Sequence, residues 1–286
     1  MIETFKTQYK GIKDFKENIS YYAAKFQEES VICFRDADIS IEEQVEIAIS
    51  LGDHLGSFPN TKMLKNKINK QEFEKNHFYQ ENHKRAYIKK TENDEIIVPW
   101  HLEHWHRDNR TIAGIWHMIT FLCDEESGKT YFVDTNKVWQ LLNSQDQNFL
   151  KRCRSLDYYD EKAYEADCVG KHWKLDQDIV QMQFFVFDEL KYLSKIDGQS
   201  PNKDQIENFN RIMNFCVDQI KNNESIRIVH KWKQGDILIP DLNKLAHAVT
   251  GGFKPEERYF KGIWVTQDAY DKSEDRDIIE SVGSNK

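Results

Sequence analysis

Val98-Pro99-Trp100-His101-Leu102-Glu103-His104-Trp105-His106-Arg107-Asp108 packs three histidines, two acids and two tryptophans into eleven residues of an otherwise Lys/Glu-rich chain. In an extended segment, side chains two positions apart share a face. A His-x-acid pair therefore presents an imidazole and a carboxylate together. Two such ligands and a distant histidine make a 2-His-1-carboxylate set with open positions, a pattern suited to non-haem Fe(II). Both His101/Glu103 and His106/Asp108 fit it. With 48 acids and 10 histidines in 286 residues, one or two such pairs arise by chance, so the local pattern does not choose between them. His104, Trp105 and His106 either shape a pocket beside the ligands or pack and make supporting hydrogen bonds.

The C-terminal third offers the distant histidine. Gly235-Asp236-Ile237-Leu238-Ile239-Pro240-Asp241 reads as a turn, a strand and a break, and His247 follows in an apolar setting just past the strand end. Taken alone, such a histidine is more often a core residue than a ligand. Eleven positions later Arg258 opens the run Tyr259-Phe260-Lys261-Gly262-Ile263-Trp264-Val265, with Gly251-Gly252 permitting a tight turn between them. An arginine beside a metal site can hold a carboxylate through two parallel hydrogen bonds.

Stepping outward from these residues, the apolar content of 39% with 13% aromatics supports a substantial core. A net charge of −8 argues against a general nucleic-acid binder. No apolar run approaches the roughly 20 residues that span a bilayer, and the amino terminus lacks a signal-peptide core. The five cysteines form no Cys-x-x-Cys pair, which fits reduced thiols and a cytoplasmic location.

The chain reads as a single domain over residues 1–286 with three parts. Residues 1–52 form a helical flank. It has a helix over 14–26, a strand over 31–34, and a second helix capped by Ser40 and Glu43 and stopped by Gly52. Residues 59–95 are polar and irregular, either a lid or a solvated insertion, with His77, Tyr79, His83 and Arg85 as the residues that could point inward. Residues 96–267 carry strand-like runs at Thr111–Phe121, Thr130–Asp134, 180–187, 226–232, 236–239 and 259–266. One helix follows Asn136, carrying Val138, Trp139, Leu142 and Phe149. Another starts at Ser200-Pro201 with the stripe Ile206, Phe209, Met213, Cys216 and Ile220. His117, Trp116 and Trp264 read as structural. Strands without a regular βαβ alternation predict a mainly β fold with flanking helices and a double-stranded β-helix (jelly-roll) core. The tail after Asp268 reads as charged and frayed.

Trp100-His101-Leu102-Glu103, Gly128-Lys129-Thr130, Gly235-Asp236 with Asp241 and His247, and Arg258 together resemble the taurine dioxygenase-like Fe(II)/2-oxoglutarate oxygenases, over roughly residues 51–265. The resemblance implies a jelly-roll core, with His101, Glu103 and His247 as iron ligands. It also implies that Thr130 and Arg258 bind the far carboxylate of 2-oxoglutarate, with O2 as the second co-substrate. The family places its first histidine a little under thirty residues before the threonine. Thr130 lies 29 residues after His101 and 24 after His106, which favours His101/Glu103.

Three departures stand out. Glu103 occupies a position where aspartate is commoner, and a carboxylate there leaves no vacancy for a halide. Gly262 stands four residues after Arg258, where true taurine dioxygenases carry a sulfonate-binding arginine, so taurine is not the expected substrate. Leu242-Asn243 replaces the frequent Asn-Arg.

The resemblance implies hydroxylation of an unactivated C–H bond, with release of succinate and CO2. The polar and aromatic residues His104, Trp105, His106, His77 and Tyr79 suggest a small polar, amino-acid-like metabolite as the substrate. The competing readings are a zinc-dependent hydrolase or lyase on a jelly-roll frame and a non-catalytic metal-binding jelly roll. The sequence sets no oligomeric state and leaves a homo-oligomer open.

Overall fold

Thr111–Phe121 (β5) is buried along most of its length on both faces, so it must lie at the centre of a sheet covered on two sides. It does. A six-stranded sheet has the order β1-β2-β13-β5-β15-β3, built from Gln8–Lys10 (β1), Val31–Arg35 (β2), Ile237–Pro240 (β13), β5, Arg258–Thr266 (β15) and Phe58–Pro59 (β3). A four-stranded sheet has the order β12-β6-β14-β4, from Arg227–His230 (β12), Thr130–Asp134 (β6), Leu245–Thr250 (β14) and Ile96–His101 (β4). Apart from the parallel pair β1/β2, the strands of both sheets pair antiparallel. The computed structural model describes residues 8–56, 58–59, 95–103, 111–159, 162–181, 192–254 and 257–266.

The packing forms layers. The outer face of the six-stranded sheet buries Ile115, Ile237 and Ile263 against two helices, Ile19–Glu29 (α1) and Ile41–Leu55 (α2). The outer face of the four-stranded sheet buries Trp100, Val133, Ala246 and Ala248. Covering it are Thr135–Leu141 (α3), Ser144–Leu150 (α4), Lys203–Asn222 (α5) and part of the small sheet made by Cys153–Tyr159 (β7), Lys162–Asp167 (β8) and Tyr192–Ile196 (β11). Between the two sheets lie Trp116, Met118, Phe132, Trp232, Leu238 and Trp264. Burying a large apolar side chain of this kind contributes about 1.5–3 kcal/mol. This is the jelly-roll arrangement that the sequence predicts.

Several boundaries differ from the sequence reading. Residues 13–18 form turns, and α1 begins only at Ile19, after Asn18 N–H has donated to the Asp14 carbonyl (3.0 Å). It ends at Ser30 in the left-handed region, φ 64°. The capping box of Ser40 and Glu43 is present, but α2 passes through Gly52, which is buried on its packed face, and stops at Gly56, φ 74°. The helix expected after Asn136 is two helices, because the chain is extended at Leu142 and Asn143 and the Asn143 side chain caps the second (2.9 Å to Asp146 N). The long helix is capped by Asn202 and Gln205 in place of Ser200. Ile206 lies at its more exposed end, and Ile212 joins the buried stripe.

The runs 226–232 and 236–239 resolve into β12 and β13. The run 180–187 meets only the end of Asp178–Val180 (β10), which pairs with Val169–Lys171 (β9); residues 182–191 lie outside the described residues. The expected lid is also outside them, apart from Pro59 in β3 and Glu95, as is the tail after Asp268. Among the described residues, no helix is long and apolar enough to cross a membrane. The five cysteines are free thiols.

Candidate metal and co-substrate site

The sequence reading placed His247 beyond a strand end. It lies inside β14, the strand between β6 and β4, where it is opposite His101 on one side and Phe132 on the other. Directly opposed residues of antiparallel strands project to the same face. Both imidazoles therefore enter the space between the sheets, with ring centroids 4.0 Å apart.

Glu103 joins them by a different route from the expected strand alternation. β4 ends at His101, and the chain turns at Leu102–Glu103, with Leu102 buried against the outer core. Glu103 Oε1 then lies 3.6 Å from His101 Nε2 and 3.7 Å from His247 Nε2. Metal–nitrogen and metal–oxygen bonds of about 2.0–2.2 Å require donor separations of roughly 3–4 Å; both separations to Glu103 fall in that range, and all three donors lie within 4.8 Å of one another.

Proton placement suits that role. The Pro99 carbonyl, 2.8 Å from His101 Nδ1, can only accept, so Nδ1 carries a hydrogen and Nε2 is the ring nitrogen that faces Glu103. His247 is almost fully buried, and its Nε2 has no hydrogen-bond partner among the described residues. Burial, followed by the neighbouring His101, pushes its pKa down to about 3, so it stays neutral and ready to ligate.

Trp116 (5.2 Å between ring centroids) and Phe132 (6.0 Å) flank the His247 ring. Trp116 has room because two positions beside it are glycine. A Cβ at Gly114 would sit 2.6 Å from its Nε1, and one at Gly262 would sit 3.1 Å from its Cδ1. The space beside position 262 is thus filled by tryptophan, and Trp116, expected only to pack, borders the ligand set.

Thr130 and Arg258 are brought together by a residue the sequence reading passed over. Thr130, opposite Val249 of β14, opens β6 on the face that carries Phe132 and His247. Its hydroxyl accepts a hydrogen bond from Trp232 Nε1 at 2.9 Å. Arg258 opens β15, and its guanidinium lies over the faces of Trp232 (5.8 Å) and Phe253 (5.3 Å). Gly128, at φ 60°, lets the chain pass close: a Cβ there would meet Arg258 Cδ at 3.0 Å.

A second group of ligand-type side chains, Cys33, His230 and Asp236, is also buried, with Cys33 in the core between the sheets. Asp236 Oδ2 accepts from Arg35 Nη1 and, at 2.7 Å, from Lys233 N, with His230 Nε2 at 3.3 Å. His230 stands edge-on to Trp232 at 4.4 Å. A further unforeseen pair, His172 and Asp241 (2.8 Å), ties the β9–β10 hairpin to the turn before β14. No spacing signal in the sequence links residues so far apart. His104, Trp105, His106, Asp108, His77, Tyr79, His83 and Arg85 all lie outside the described residues.

Solved structures share this fold. A taurine dioxygenase described as putative and alpha-ketoglutarate-dependent, from Burkholderia xenovorans, superposes with a TM-score of 0.62 at 14% identity, over 88% of this chain and 84% of that one. AAD-2 in complex with Mn(II) and N-oxalylglycine gives 0.60 at 14% identity, over 93% and 97%. PvcB, an Fe, alpha-ketoglutarate dependent oxygenase from an isonitrile synthetic pathway, gives 0.53 at 15%, over 87% and 80%. A comparison with curated protein sequences gave no match. Residues 16–264, most of the chain, match the family described as Taurine catabolism dioxygenase TauD, TfdA family. With that match over this fold, the chain belongs to the TauD/TfdA family and is an Fe(II)- and 2-oxoglutarate-dependent dioxygenase.

Proposed function

We propose that this dioxygenase hydroxylates an unactivated C–H bond of a small polar, amino-acid-like metabolite, releasing succinate and CO2, and that residues 1–286 act as one oxygenase domain. In this reading His101, Glu103 and His247 hold the iron, while Thr130 and Arg258 hold the far carboxylate of 2-oxoglutarate. The observation that carries it is the convergence of two imidazole nitrogens on one carboxylate oxygen at 3.6 and 3.7 Å. Iron held by these three side chains would supply the redox chemistry that couples decarboxylation of 2-oxoglutarate to oxygen insertion.

The chain's own residues do the positioning. The Pro99 carbonyl fixes the His101 tautomer, and burial keeps His247 neutral. Trp116 and Phe132 exclude water from one side of the His247 ring. Arg258 offers a planar, charge-assisted grip on a carboxylate, which also sets the register of the keto-acid end against the metal. Tryptophan packing around Gly262 argues against a sulfonate-binding group there. His104, Trp105, His106, His77 and Tyr79 are the substrate-facing candidates.

The test is a metabolite screen for stimulated 2-oxoglutarate decarboxylation by the Fe(II)-loaded protein, with Arg258→Ala as the negative control. Succinate release that needs Fe(II), O2 and an amino acid or small acid is the expected result. Turnover supported by zinc without O2 or 2-oxoglutarate would replace this reading with the hydrolase.

A further inference from the structure

Thr130 and Arg258 both contact Trp232, and these contacts constrain what the threonine hydroxyl can do. A tryptophan N–H can only donate, whereas a threonine hydroxyl has one proton to give and two lone pairs. The 2.9 Å contact between Trp232 Nε1 and Thr130 Oγ1 therefore runs in one direction, from indole to hydroxyl. It fills a lone pair on Thr130 and leaves the hydroxyl proton to be given to something else. Among the described residues that proton has no acceptor, and Thr130 is 1% exposed, so water gives it little help.

The same indole presents its face to the Arg258 guanidinium, 5.8 Å from the ring centroid. An aromatic face favours an approaching cation and orients a guanidinium plane. The indole is itself held in place. His230 meets it edge-on at 4.4 Å, with Asp236 and Arg35 behind His230, and Trp232 is 1% exposed.

We infer that Trp232 is the positioning residue of the co-substrate carboxylate site. It polarises Thr130 as a hydrogen-bond donor and orients Arg258 over its ring, so that both point toward one anionic group. This rests on the proposal that Thr130 and Arg258 receive the far carboxylate of 2-oxoglutarate. Trp232 need not touch that carboxylate. Its role is to ensure that the threonine offers a proton where a carboxylate offers only lone pairs.

Trp232→Phe keeps an aromatic ring and deletes the N–H. The measurement is calorimetric titration of the Mn(II)-loaded, full-length protein with 2-oxoglutarate and, separately, with 2-oxobutanoate. The second ligand has the same keto-acid end without the far carboxylate. The expected result is a rise of about 2- to 12-fold in the dissociation constant for 2-oxoglutarate, the size of one lost hydrogen bond between neutral groups. Binding of Mn(II) and of 2-oxobutanoate should be unchanged. In a Thr130→Val background the Phe substitution should add little further loss, because both changes remove the same interaction.

Equal weakening of both keto acids would mean that Trp232 only packs, and would overturn the inference. So would unchanged binding of 2-oxoglutarate by a folded variant. Failure of the wild-type protein to bind 2-oxoglutarate would overturn the functional reading and this inference with it. If the Phe variant does not fold, 3-benzothienylalanine at position 232 keeps the indole shape with sulfur in place of N–H. The same selectivity loss is then expected.

Discussion

Among the described residues, two groups of three side chains bring ligand-type atoms within 4.8 Å of one another: His101, Glu103 and His247, and Cys33, His230 and Asp236. Both belong to the space between the two sheets, and each has a deeply buried histidine that burial holds neutral, at about 3 for His247 and about 4 for His230. They differ in charge balance and access. Glu103 brings a negative charge to two imidazoles, and its side chain is 14% exposed. Asp236 is sealed at 0% and already paired with Arg35, while burial raises the Cys33 thiol to about 12, so it stays protonated. The first group gains from a divalent cation. The second is near neutrality without one, and its service is to brace Trp232. Proximity of ligand types is therefore insufficient: a metal site also needs an unbalanced charge and a way in.

The largest test of that contrast compares His247→Ala with Cys33→Ala. Loss of an outer-shell partner of a metal ligand costs about 10- to 100-fold in metal affinity, and losing the ligand itself should cost more. His247→Ala is expected to purify without stoichiometric iron and to bind Mn(II) at least about 100-fold more weakly. Cys33→Ala should retain full metal content by elemental analysis. Metal loss in the cysteine variant would erase the distinction between the two groups.

Next in size is Arg35→Met, which strips the compensating charge from a sealed carboxylate. Breaking a buried pair by removing one partner costs about 3–5 kcal/mol. Chemical denaturation should show a loss on that scale, with Mn(II) affinity of the folded protein unaffected. A stability change below about 1 kcal/mol would mean that the Arg35–Asp236 pair does not hold the second group together.

The smallest effect concerns pH. The His230 pKa lies at about 4 in the folded chain against an ordinary 6.5. Between those values the unfolded chain binds the extra proton, so stability is full above about pH 6.5 and falls as pH drops toward 4. One such imidazole contributes at most about 1.4 kcal/mol per pH unit. His247 acts in the same direction in the metal-free protein. His230→Gln should flatten the slope of unfolding free energy between pH 6.5 and 4.5, leaving the part due to His247. An unchanged slope would show that His230 does not titrate on unfolding.

How much of this was legible in the sequence follows the range of the interactions. The Ser40–Glu43 capping box, the amphipathic stripe of Phe209, Met213, Cys216 and Ile220, and the β-branched and aromatic runs of β5 and β6 could be read directly, because each depends on neighbours a few residues away. β14 was not legible. Leu245-Ala246-His247-Ala248-Val249-Thr250 is buried on both faces, so it shows no alternation, and its two alanines resemble a loop or helix as much as a strand. Gly52 looked like a stop because glycine ends helices when its backbone adopts the left-handed region; here it is helical, and Gly56 takes that conformation. Trp116 looked like core, which it is, but its ring also lies against His247, and Trp232, which carried no signal of its own, gives its N–H to Thr130.

The sequence by itself determined the mainly β character and, with the family resemblance, nominated His101, Glu103, Thr130, His247 and Arg258 as candidates. Tertiary structure alone decided that a turn swings Glu103 back between the two imidazoles, that Arg35 neutralises the second cluster, and that one indole contacts both Thr130 and Arg258. The physical reason is that residue type and short-range spacing are written along the chain. Register between distant strands, charge balance inside a sealed space and the direction of a buried hydrogen bond exist only once the two sheets face each other.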